Sequence, residues 1–106
     1  MSLEPPQVLE QKAEKKLKSW FGKQQAREEA AELYQQAANK YKIARQHVDA
    51  GKAYEKAADC LIMAGATPFD IASQFLEAAK VYKLVSFDGL HERCYLFCHL
   101  LFIFTI

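Results

Sequence analysis

Tyr34-Gln35-Gln36-Ala37-Ala38-Asn39-Lys40-Tyr41 sets two large rings and a pair of alanines at i, i+3, i+4 and i+7, one face of an α-helix. The arrangement returns twice, as Tyr54, Ala57, Ala58 and Leu61 and then as Phe75, Ala78, Ala79 and Tyr82. Ala30-Ala31, Ala50-Gly51 and Ile71-Ala72 stand ahead of the three copies. Alanine and glycine let helix axes approach closely while the large side chains fill the gaps between turns, so consecutive helices pack as a regular stack. The pattern predicts an all-α fold, an antiparallel helix-hairpin solenoid. Copies are offset by roughly 20 residues, so a two-helix unit recurs at roughly 40, against about 34 in a standard tetratricopeptide repeat. The array is tetratricopeptide-like rather than standard.

Working outward, helices are predicted over residues 25–42, 46–64 and 68–84, with an earlier one over 8–17, where Val8, Leu9, Ala13 and Leu17 fall at helical spacing among Glu and Lys. Pro5 and Pro6 suit the first turn of that earlier helix, and Gly22 can stop the chain beyond it. The third junction is the best marked. Gly65 can end one helix in the left-handed conformation, Thr67 can cap the next, Pro68 takes its first position, and Asp70 completes a capping box. Connections this short make neighbouring helices antiparallel.

A chain of 106 residues holds one small domain, which buries a core by stacking neighbour on neighbour. Its 51% hydrophobic and 25% charged residues are far from the composition of disordered chains. The net charge of +1 supplies no global field toward a polyanion, so no nucleic-acid partner is expected. Three cysteines, with Cys60 far from Cys94 and Cys98, fit reduced thiols better than a secreted disulfide framework. Met1-Ser2-Leu3-Glu4-Pro5-Pro6 lacks the basic-then-apolar pattern of a secretory signal, and the expected location is the cytoplasm.

No glycine-rich phosphate loop, nucleophile elbow or H-E-x-x-H stretch occurs, and no enzyme activity or cofactor is expected. Cys94, Cys98, His91 and His99 are zinc-ligand types, but Cys-x-x-x-Cys-His in an apolar run lacks a second ligand pair at zinc-finger spacing. They read as small hydrophobes, and no metal site is expected. Glu28, Glu29 and Glu32 stand beside lysines at helical spacing and read as a solvated face.

The run Lys12-Ala13-Glu14-Lys15-Lys16-Leu17-Lys18, the loop Trp20-Phe21-Gly22, and Glu29-Ala30-Ala31-Glu32-Leu33-Tyr34 resemble the opening of soluble NSF attachment proteins. So do Ala37-Ala38-Asn39-Lys40-Tyr41-Lys42, Ala50-Gly51-Lys52-Ala53-Tyr54 and Ala57-Ala58-Asp59-Cys60. The likeness is closest to the alpha type and spans about residues 9–84. It implies an adaptor of SNARE-complex disassembly in intracellular vesicle fusion and transport, ER–Golgi transport included, peripheral on intracellular membranes. Implied partners are the four-helix SNARE bundle and a hexameric NSF-type AAA ATPase. The alternative is a generic helical-repeat module that holds a peptide in its groove.

The resemblance places membrane contact at Trp20 and Phe21. An exposed aromatic pair favours a lipid headgroup layer, where burial of each ring contributes about 2 kcal/mol. Lys15, Lys16, Lys18 and Lys23 surround the pair and add up to about 1 kcal/mol each near anionic lipid. Packing of both rings back onto the following helix is the competing reading. The resemblance also implies a basic surface for an acidic SNARE bundle, carried by Lys42, Lys52, Lys80 and Lys83, against the reading that they are ordinary solvated lysines.

Residues 1–84 form the repeat region and 85–106 a divergent hydrophobic tail, with no charged residue after Arg93. The tail is too short for a spanning helix, which needs about 20 apolar residues, and shows no amphipathic period. It can supply a next helix, serve as an interface, or be sequence foreign to the repeat, the favoured reading. The family's C-terminal bundle, to which the resemblance assigns ATPase activation, has no counterpart in it, so stimulation of ATP hydrolysis is not expected.

Overall fold

The computed structural model describes residues 4–18, 23–85, 94, 96 and 98–100. Among the described residues, α1 (Pro6–Leu17), α2 (Lys23–Ile43), α3 (His47–Ala64) and α4 (Pro68–Lys83) run in chain order, ahead of the helical residues of the tail. They match the predicted helices to within about two residues at each end. Helix α1 starts two residues earlier than the apolar spacing suggested, because Pro6 takes the first helical position and the Pro5 carbonyl accepts from the Val8 and Leu9 N–H groups.

Each helix packs chiefly on its neighbour in sequence, and the side chains that cross the seams show antiparallel order. Lys16 near the end of α1 meets Glu29 near the start of α2, and Arg27 near the start of α2 donates to the Met63 carbonyl near the end of α3. At the other end Tyr54 of α3 reaches Asn39 of α2, and Tyr82 of α4 reaches Glu55 of α3. The predicted helix-hairpin array is therefore the observed fold.

The core is built from the repeated stripe. Ala37, Ala38, Ala58, Ala78 and Ala79 are fully enclosed, and Tyr41, Tyr54, Phe75 and Tyr82 fill the space between helices. A second cluster joins Ala13, Ala30, Ala31, Tyr34, Ala57 and Cys60 across α1, α2 and α3. Three phenols are buried by ring and satisfied by hydroxyl, each donating to the helix before it: Tyr41 to Glu10 Oε2 at 3.0 Å, Tyr54 to Asn39 Oδ1 at 2.6 Å, Tyr82 to Glu55 Oε2 at 2.7 Å.

Helices α2 and α3 end in the same hydrogen-bond pattern. After α3, Gly65 is left-handed at φ 75°, its N–H meets the Ile62 carbonyl and the Ala66 N–H meets Leu61, a Schellman closure. After α2 the left-handed residue is Arg45 at φ 62°, with the Gln46 N–H on the Tyr41 carbonyl. Helix α4 begins as its capping residues require, with Thr67 Oγ1 accepting from the Asp70 N–H at 3.3 Å.

In the tail, Cys94, Leu96 and Cys98–Leu100 are helical. Cys94 is fully buried in the α3–α4 core, its thiol 3.5 Å from Glu55 Oε1, and Cys98 is also buried, while Leu96, His99 and Leu100 face outward. Cys94 and Cys98, at i and i+4, share one helical face, and both are buried. Among the described residues no helix is long and apolar enough to cross a membrane, and no three His, Cys, Asp or Glu side chains converge. His91 lies outside the described residues.

Candidate functional site

Antiparallel order gathers two sets of side chains at opposite ends of the helices. At one end meet the last turn of α2, the second turn of α3 and the C-terminal half of α4, which carry Lys42, Lys52, Lys80 and Lys83, all exposed; Lys42 and Lys80 meet between α2 and α4, whereas Lys52, half a turn around α3 from the groove-lining Leu61, lies on the opposite face. Glu77 lies among them. Its carboxylate is 3.3 Å from Lys80 Nζ and 3.9 Å from Lys42 Nζ, so one acidic residue ties α4 to α2 and offsets two of the four charges. Lys52 and Lys83 carry no ion pair among the described residues. Sequence reasoning missed Glu77; its place three residues before Lys80 was the available signal.

At the opposite end, α1 runs out and α2 begins. Trp20 and Phe21, with Gly22, lie outside the described residues. Of the flanking lysines, Lys18 and Lys23 are exposed, whereas Lys16 is held 2.8 Å from Glu29. That contact keeps the Glu29 carboxyl below the usual carboxylate range, through a hydrogen bond and the attraction of Lys16. Ile62, Met63 and Phe69 are exposed at the same end, around the α3–α4 turn.

A groove of about 370 Å³ runs between α2 and α4 beside that turn. Its α2 wall is the stripe Glu28, Ala31, Glu32 and Gln35, spaced i, i+3, i+4, i+7, and its α4 wall is Thr67, Asp70 and Gln74, spaced i, i+3, i+7. From sequence alone Glu28 and Glu32 read as solvated face, and Gln74 is not singled out. A polar residue inside the apolar stripe Ile71, Phe75, Ala78 was the signal that could have found it.

The thiol of Cys60 is pushed up to about 11 by burial, with Asp59 adding to the shift and Arg27 opposing it. A thiol so displaced stays protonated and is a packing group rather than a nucleophile.

The sequence profile described as "Soluble NSF attachment protein, SNAP" matches residues 4–94, which takes in α1 to α4 and ends at the buried Cys94. The chain belongs to the soluble NSF attachment protein family. It is 40% identical over 85 residues to the probable vesicular-fusion protein sec17 homolog of Neurospora crassa, covering 74% of this chain and 29% of the relative. Against the vesicular-fusion protein SEC17 of Komagataella phaffii it is 51% identical over 57 residues, 54% of this chain and 19% of that one. Against the alpha-soluble NSF attachment protein of Vitis vinifera it is 34% identical over 95 residues, 84% of this chain and 32% of the relative. The matched stretch thus spans less than a third of these relatives. No solved structure matches the chain. Both lysine groups, and the alanine stripes that set the helices, lie within the family match.

Proposed function

We propose that this chain acts in vesicle fusion as a non-catalytic adaptor that binds the assembled SNARE bundle through its basic end. The observation that carries the reading is the family match over residues 4–94, and the meeting of Lys42 and Lys80 between the ends of α2 and α4 supports it, with Lys52 and Lys83 exposed at the same end of the array. Exposed ammonium groups on a rigid helical array suit an extended acidic helix bundle, for which they supply long-range attraction rather than a deep pocket. Residues 1–84 are the unit assigned this role, and residues 85–106 a separate tail that contributes Cys94 to the same core. The chain is cytoplasmic in this reading. It rests on intracellular membranes through Trp20 and Phe21, with Lys16, Lys18 and Lys23 facing lipid headgroups. The SNARE bundle is its protein partner; contact with an NSF-type ATPase belongs, by the family resemblance, to a C-terminal bundle outside the matched stretch. Nucleic acid has no part in it.

Retention of the full chain on an immobilised SNARE bundle, at low and moderate salt, tests the proposal. Salt-sensitive retention that falls when Lys52 and Lys83 are both changed to Glu is the expected result. Equal retention of both proteins would overturn the assignment of the basic end.

A further inference from the structure

We propose that the groove between α2 and α4 binds an arginine side chain, and a lysine less well, presented by a partner polypeptide. The proposal is independent of the adaptor reading, since it uses the opposite end of the helices and the opposite charge. Gln74 is 8% exposed, it lines the groove, and among the described residues its Oε1 has no hydrogen-bond partner. A buried acceptor left unsatisfied is destabilising, and a donor delivered from outside removes that penalty. Glu28, Glu32 and Asp70 border the same groove without an ion pair among the described residues, so the donor it favours is cationic.

The remaining lining fixes the shape of the cation. Leu61 and Ala66 form an apolar wall beside the acidic groups, suited to a methylene stem and not to a hydrated metal ion. The volume, about 370 Å³, falls at the lower end of the range for small-ligand pockets, about 300–1,000 Å³. A guanidinium offers five donors in a flat fork and sheds water more readily than an ammonium, so arginine can reach Gln74 Oε1 and a carboxylate together. The site is built by two helices across the close of a third, which keeps its walls in register without a ligand.

Titration of the isotope-labelled full chain with the blocked peptide Ala-Ala-Arg-Ala-Ala, followed by amide resonances, tests this. Saturable shifts centred on Gly65, Ala66 and the Gln74 side chain are expected. The lysine peptide should bind about threefold more weakly, and the citrulline peptide, which keeps the shape without the charge, should give no saturable shift. Gln74→Leu should weaken the arginine peptide roughly tenfold. Glu28→Gln with Glu32→Gln should weaken it about threefold for each carboxylate removed, less in high salt. These exposed positions decide the matter if Gln74→Leu fails to fold. Equal binding of arginine and citrulline peptides, or an affinity unchanged in the double variant, overturns the proposal. Calcium chloride alone producing the same saturable shifts also overturns it, in favour of a cation site.

Discussion

Gly51 lies under the ring of Tyr82: a β-carbon at Gly51 would overlap Tyr82 Cε1 and Cζ. The contact closes α3 onto α4, and it explains a glycine in the second turn of a helix, where propensity alone favours alanine by about 1 kcal/mol. Gly51→Ala is therefore predicted to destabilise despite its better propensity, by about 1–3 kcal/mol, because the ring must shift and draw its hydroxyl from Glu55. Urea unfolding measures it. A variant as stable as the parent would mean that the ring moves at no cost.

The two Schellman closures predict opposite signs for opposite substitutions. Gly65 has φ 75° and open space around its missing side chain, so Gly65→Ala costs backbone strain alone, about 1 kcal/mol. Arg45 adopts the same region with a side chain attached, at φ 62°. Arg45→Gly should relieve it and raise the melting temperature by a few degrees, on the order of 1 kcal/mol less the entropy added to the unfolded chain. A drop in melting temperature for Arg45→Gly would show that its side chain contributes more than its backbone costs.

Tyr82→Phe is predicted to destabilise more than Tyr54→Phe. The Tyr82 hydroxyl meets a half-buried carboxylate, whereas Tyr54 meets the amide of exposed Asn39, which water can serve instead. Hydrogen bonds to charged partners contribute about 1.5–3 kcal/mol against about 1 for neutral ones. Equal losses in parallel denaturant titrations would contradict this ordering.

These contacts divide into those the sequence announces and those it does not. The alanine pairs between rings at helical spacing, Gly65 before Thr67 and Pro68, and Ala50-Gly51 are local signals, and each is used as its chemistry suggests. The Arg45 turn was not legible, because arginine gives no sign of a left-handed backbone. The links from Tyr41, Tyr54 and Tyr82 to the preceding helix depend on how helices are placed in space, as does the position of Glu77 between two lysines. Burial of Cys94 and Cys98 was likewise not legible, because a cysteine in an apolar run carries no sign of which way it faces.

Alkaline pH should destabilise the fold in a defined window. Burial raises Cys60 to about 11 from an ordinary 9.0, and Tyr34 and Tyr41 to about 12 from 10.0, with Glu14 adding to the shift at Tyr34 and the hydrogen bond to Glu10 at Tyr41. Above pH 9 the unfolded chain binds fewer protons than the folded one, so stability falls as pH rises. The full contribution is present below pH 9 and is lost through about pH 11–12. Urea midpoints at pH 8, 9, 10 and 11 should decline, and Cys60→Ala should lessen the decline that begins near pH 9. A flat profile would contradict it.

Glu77 offers a gain-of-binding test of the basic end. Both of its ion pairs are half-exposed, so Glu77→Gln should change stability by no more than about 1 kcal/mol. The substitution releases Lys42 and Lys80 while leaving their positions on α2 and α4 intact. If the lysines meet an acidic helix bundle, Glu77→Gln should tighten retention on it by about threefold at low salt, with the gain fading at higher ionic strength. Lys42→Gln should lower retention in the parent and lower it further in the Glu77→Gln background, where its charge is no longer offset. Parent-like retention for Glu77→Gln at every salt concentration would mean that this end of the array does not face the partner.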